Sequence, residues 1–147
     1  MVASDNLNPE QFDYRLEHRA PVEGLGLHRA GTTHYPDARL FPQWYGRRGS
    51  PEIAEAAGAL ERVRGKPNAQ VDIYRALPRE HHDIHPGDWV TTSRTYAEAH
   101  AEGEDYHVLH AQVAAKHVVS NGEDIHEYGY AGPHISNASA TDRGRDR

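Results

Sequence analysis

The chain has 147 residues, of which 37% are hydrophobic, a formal charge of −6 at pH 7 and no cysteine. That length points to a single domain, and the missing thiols exclude cysteine nucleophiles, zinc–thiolate centres and disulfide scaffolds. The negative charge gives no chain-wide attraction to nucleic acid, and no run of about 18 apolar residues offers a membrane span.

Residues 1–20 read as a polar N-terminal segment. The opening Met1-Val2-Ala3-Ser4-Asp5-Asn6 has neither the basic nor the apolar stretch of an export signal, so a cytoplasmic setting is expected. A short helix from Pro9 to His18, capped by Asn8, fits this segment. Residues 21–49 mix glycine and proline with Tyr35, Phe41, Trp44 and Tyr45, which suggests ordered irregular structure. A helix follows. Ser50 is a good N-cap, Pro51 suits the first helical position, and Ile53, Ala56, Ala57, Leu60 and Val63 recur at helical spacing before Gly65 and Pro67.

The period then changes from 3.6 to 2. Gln70 to Ala76 alternates as a strand, with Val71, Ile73 and Arg75 on one side. Residues 78–88 read as a polar loop closed by Pro86-Gly87-Asp88. Trp89 to Thr92 suits a short strand, and Ser93 caps a helix from Arg94 to about Ala101. Tyr106 to Ala114, His117 to Val119 and Ile125 to Tyr130 are predicted strands, with a turn at Asn121-Gly122. Residues 136–147 read as a disordered tail. A helix followed by short strands implies an α+β domain over residues 21–135, with a mostly antiparallel sheet.

Three patches combine residue types that carry chemistry. In Ile73-Tyr74-Arg75-Ala76 an arginine shares the apolar side of a strand, which is costly unless an anion or carboxylate meets it. Trp89-Val90-Thr91-Thr92-Ser93 runs three hydroxyls into a helix start. Glu123-Asp124-Ile125-His126-Glu127-Tyr128 sets a glutamate in a β-prone segment. Singly, each has an ordinary account: Arg75 pairs with Asp72 or another carboxylate, the hydroxyls are strand and cap residues, and Glu127 is solvated on an edge strand.

Taken in order, the set resembles the ADP-ribosyltransferase family of the arginine–serine–glutamate class. That class carries an aromatic-Arg strand, a strand ending in Ser-Thr-Ser, and a late catalytic Glu. Here they stand as Tyr74-Arg75, Trp89-Val90-Thr91-Thr92-Ser93 and Glu127. The surrounding IYRALP, GDWVTTS and DIHEYGY are similar to small phage and bacterial members, and the likeness spans about residues 60–131.

The resemblance implies a split, mostly antiparallel sheet flanked by short helices. It implies NAD as substrate and transfer of ADP-ribose to a macromolecular acceptor, a host protein or nucleic acid if the chain is phage-encoded. Arg75 would hold the phosphates or adjoining ribose. Thr91 would support the nicotinamide ribose, Thr92 and Ser93 would shape the strand end, and Trp89 or Tyr96 would contact the nicotinamide. Glu127 would bind the ribose 2′-hydroxyl and face the positive charge that develops as nicotinamide leaves. The acceptor would be handled by residue 125, which here is Ile125, or by His126. Isoleucine can neither act as a base nor orient a guanidinium, which disfavours arginine as acceptor. NAD glycohydrolysis, and a non-catalytic module that binds a nucleotide or partner protein, are the alternatives.

Two other features are read as surface. His81-His82-Asp83-Ile84-His85 offers metal-type side chains, with His107, His110 and His117 nearby in sequence, but Pro78 and Pro86 make the run a loop, and no metal is assigned. Arg47, Arg48, Arg62, Arg64 and Lys66 read as a solvated helix end, with a basic edge for nucleic acid as the alternative.

Overall fold

The computed structural model describes residues 20–45, 49–101, 103 and 105–141. The helix expected at Pro9–His18, the Arg47-Arg48 pair and residues 142–147 lie outside them.

The described chain is α+β, with three helices and two antiparallel sheets. In chain order come β1 (Leu25–Gly26), α1 (Leu27–Thr33), α2 (Pro51–Val63), β2 (Gln70–Pro78), β3 (Trp89–Val90) and α3 (Arg94–His100). Then follow β4 (Tyr106–Ala114), β5 (Val118–Ser120), β6 (Tyr128–Tyr130) and β7 (Ser139–Thr141). Short 3-10 turns occupy Pro42–Trp44 and Ala115–His117. One sheet has the order β1-β5-β6-β3 and the other β2-β4-β7.

The predicted helix at α2 and the long strands β2 and β4 stand close to their expected bounds. Ser50 Oγ accepts the Ile53 amide at 3.3 Å, and α2 buries Ile53, Ala56, Ala57, Ala59, Leu60 and Val63. Strand β2 turns Val71, Ile73, Arg75 and Leu77 to the main core. Its other face, through Tyr74 and Ala76, packs with Ala97, Ala101 and Val108 under α3.

Elsewhere the structure differs from expectation. Residues 21–49 contain α1, a helix that propensity alone does not support, since its sequence LHRAGTT carries one glycine and two threonines. Tertiary packing makes up the deficit. Leu27, Ala30 and Gly31 are buried, and a Cβ on Gly31 would meet that of Leu60 at 3.4 Å, so the absent side chain lets α1 lie against α2. The last predicted strand shortens to Tyr128–Tyr130. Asp124 draws Ile125–Glu127 into a turn, its Oδ1 accepting the His126 amide at 2.8 Å and its carbonyl the Glu127 amide at 3.1 Å. Strand β6 lies inside its sheet, so Glu127 does not stand on an edge strand. Ser139–Thr141, in the segment expected as tail, pairs with β4.

The two sheets meet beside the end of β3. Tyr74 of β2 and Thr91, just past β3, exchange both backbone hydrogen bonds at 2.8 and 2.9 Å. Strand β3 in turn pairs with β6, Val90 opposite Tyr128. Thr91 and Glu127 each lie one residue beyond that pair. The junction therefore gathers the ends of three strands beside the start of α3.

Candidate functional site

A cleft opens at this junction, lined by Tyr74, Arg75, Ala76, Trp89, Val90, Thr91, Tyr96, Ala97, His100 and Glu127. It is an open cleft, with about 430 Å³ of empty space when the solvent at its mouth is counted. Arg75, Thr91 and Glu127, taken from three separate patches of sequence, thus border one concavity. Trp89 and Tyr96 border it as well.

Arg75 is only 8% exposed. Its Nη1 donates to the Trp89 carbonyl at 2.5 Å, and its Nε lies 3.7 Å from Asp88 Oδ2. Asp88, not the Asp72 considered from sequence, is the counter-charge; Asp72 instead meets His110 at 2.8 Å. Burial pulls the Arg75 pKa down and Asp88 opposes that shift. Because a guanidinium holds its proton so tightly, the group remains a fixed cation, with Arg75 bordering the cleft while its side chain shares the core face of β2 with Ile73 and Leu77.

The hydroxyl triplet divides. Thr91 is buried at the cleft, and its Oγ1 accepts the Ser93 amide at 3.1 Å. Thr92 and Ser93, grouped with the nucleotide-binding residues for shaping the strand end, are buried and do not line the cleft. Ser93 is wholly inaccessible because its Oγ has two tasks. It accepts the Tyr96 amide at 3.0 Å, capping α3, and donates to Glu55 Oε1 at 2.7 Å. Glu55 also accepts the Thr95 amide at 3.1 Å and its hydroxyl at 2.7 Å, so one carboxylate of α2 fastens the start of α3.

Glu127 Oε2 accepts a hydrogen bond from the Tyr96 hydroxyl. Burial, that hydrogen bond, and the charges of Glu127 and Asp124 all raise the Tyr96 pKa, so the phenol remains the donor at neutral pH. Tyr96 contacts two imidazoles. His126 stacks on it at 4.8 Å and 13°, and His100, one turn along α3, lies at 4.5 Å with its Nδ1 2.9 Å from the Tyr96 carbonyl. Burial lowers the His126 pKa.

Ile125 needs the plainest correction. It is 1% exposed and belongs to the main core, so its side chain cannot face an acceptor. His126, half-buried beside Tyr96, remains at the edge of the site.

Sequence reasoning missed Glu55, Asp88 and His100, and gave Tyr74 a place in the motif without a place in the site. Glu55 gives no signal on the polar face of α2, and Asp88 reads as part of a Pro-Gly-Asp turn. His100 was accessible, since it follows Tyr96 by four residues and helical neighbours at that spacing touch.

Compared with family models, with curated proteins and with solved structures, the chain matches none of them.

Proposed function

We propose that this cleft binds NAD and that the protein is an NAD-dependent ADP-ribosyltransferase, with Glu127 as the catalytic carboxylate. The observation that carries the reading is the shared border of Arg75, Thr91 and Glu127 on one cleft at the sheet junction. Glu127 has one oxygen engaged by Tyr96, which leaves lone pairs for a ribose hydroxyl. When the bond between nicotinamide nitrogen and ribose C1′ breaks, its electron pair leaves with nicotinamide and the sugar becomes cationic. A preoriented carboxylate beside that cation is worth about 10²–10³ in rate. The acceptor's lone pair then bonds to C1′, and the acceptor releases a proton. Arg75, held by Trp89 and Asp88, supplies positive potential for the pyrophosphate, and Thr91 supplies a hydroxyl at the strand end.

One observation favours water as the acceptor. Ile125 is in the core, so no side chain two residues before Glu127 reaches the cleft to position a macromolecule. NAD glycohydrolysis is the second reading.

Nicotinamide release from NAD tests both. Wild type is expected to release it, and Glu127→Gln to be slower by about 10²–10³. Free ADP-ribose as the product, with no label on added protein or nucleic acid, supports glycohydrolysis over transfer. Equal rates for wild type and Glu127→Gln would remove Glu127 from the mechanism. Saturable NAD binding without any nicotinamide would make the domain a binding module.

A further inference from the structure

The loop between β2 and β3 is tied to the segment before β7. Ile84 and Ile135 exchange both backbone hydrogen bonds, at 2.9 and 2.8 Å, and the Ala138 amide donates to the His82 carbonyl at 2.7 Å. Side chains alternate along paired extended strands, so Asp83 and His85, flanking the buried Ile84, emerge on one outer face beside His134. His85 and His134 are cross-strand neighbours whose rings stack at 4.4 Å and 13°. His134 Nε2 lies 3.1 Å from Asp83 Oδ2. One ligand-type atom from each of the three residues falls within 4.8 Å of the others.

The geometry points to a divalent transition-metal site formed by Asp83, His85 and His134, with Zn²⁺ the best chemical match. Two imidazoles and one carboxylate suit a borderline d-block cation better than the all-oxygen sets of Ca²⁺ or Mg²⁺. Metal–ligand bonds of about 2.0–2.2 Å in a tetrahedron place ligand atoms roughly 3.3–3.5 Å apart. The Asp83–His134 pair, at 3.1 Å, is close to that spacing, and the His85 and His134 rings are partly exposed. Three protein ligands leave a fourth position for water.

The surroundings fit as well. Asp88 Oδ2 stands 3.6 Å from His85 Nδ1, beyond hydrogen-bond length but close enough to add negative charge beside the imidazole. The same oxygen lies 3.7 Å from Arg75 Nε, so the site braces the wall of the cleft. Sequence reading could not find the set, because His134 lies 51 residues beyond Asp83. The inference is independent of the NAD reading.

The test uses the full chain, stripped with chelator and titrated with Co²⁺, followed by Zn²⁺ competition. Wild type is expected to bind one equivalent, with visible d–d bands that Zn²⁺ displaces and a thermal midpoint raised by Zn²⁺. His134→Ala, at an exposed position, abolishes both effects. Asp83→Asn weakens binding by about tenfold or more, since second-sphere changes alone often cost that much. His110→Ala, which removes the separate His110–Asp72 pair, leaves binding unchanged. No saturable Co²⁺ spectrum, or equal binding by wild type and His134→Ala, overturns the assignment.

Discussion

At the scale of single residues, the site depends on the hydrogen bond from Tyr96 to Glu127. A glutamate has three side-chain torsions to fix, and the phenol fixes the carboxylate at the cleft's edge. Tyr96→Phe keeps the ring that stacks on His126 and removes only the donor. A hydrogen bond to a charged group contributes about 1.5–3 kcal/mol, so under the proposed activity kcat should fall by about tenfold or more. The KM for NAD should change little, because a positioning group acts on the reacting carboxylate and not on ligand binding. A rise in KM with kcat preserved would make Tyr96 a binding residue instead. Much of this site was legible in sequence: Arg75, Thr91, Tyr96, Trp89 and Glu127 were all named, and all line the cleft. What was illegible was burial. A hydroxyl at Thr91 and another at Ser93 look alike in a string, yet Ser93 is taken up by the cap of α3 and by Glu55 while Thr91 lines the cleft. Ile125 could be recognised as unfit for acceptor chemistry, but not as a core residue, until Asp124 turned the chain.

At the scale of elements, α3 is a seven-residue helix, too short to persist without help. Its support comes from α2 through Glu55, which holds Ser93 and Thr95 while Ser93 caps the first turn. Loss of a serine cap costs about 1 kcal/mol, and the hydrogen bond to Glu55 adds to it, so Ser93→Ala should destabilise by about 2 kcal/mol. The effect is measured by urea unfolding. Ser93→Ala in a Glu55→Ala background should cost less than in wild type, since the two share one network. Strict additivity would mean the bond contributes nothing. The elements that sequence predicted well, α2, β2 and β4, have long clean periods and recognisable ends. Those it missed are short and held from outside: α1 by Gly31 against Leu60, and β7 by pairing with β4. A three-residue strand has no period to read, and its existence is decided by the partner edge.

At the scale of the whole molecule, ionisation limits the pH range over which the fold is stable. On the acid side, His28 and His126 have pKa values lowered mainly by burial. Their contribution is intact above the unfolded value of 6.5 and is lost as pH falls through the folded values. The alkaline side is governed by tyrosines. Burial is the largest cause of the raised pKa at Tyr35, Tyr74, Tyr96, Tyr128 and Tyr130, and Tyr128 is fully enclosed. A phenol whose folded pKa is raised holds its proton more tightly in the native state. Stability is therefore complete below the unfolded value of 10.0 and declines as pH climbs from there toward the folded values. Each tenfold difference in proton affinity is about 1.4 kcal/mol, so each such phenol that ionises works against a domain stabilised by only about 5–15 kcal/mol. The thermal midpoint is expected to be level from pH 8 to 9.5, as about half a unit below that onset, and to fall steeply by about pH 11. Tyrosinate absorbance should then rise together with the loss of near-ultraviolet circular dichroism, in one cooperative step. Gradual ionisation of all the tyrosines near pH 10, with the midpoint unmoved, would mean that water reaches these hydroxyls and that the core around Tyr128 is not packed as described.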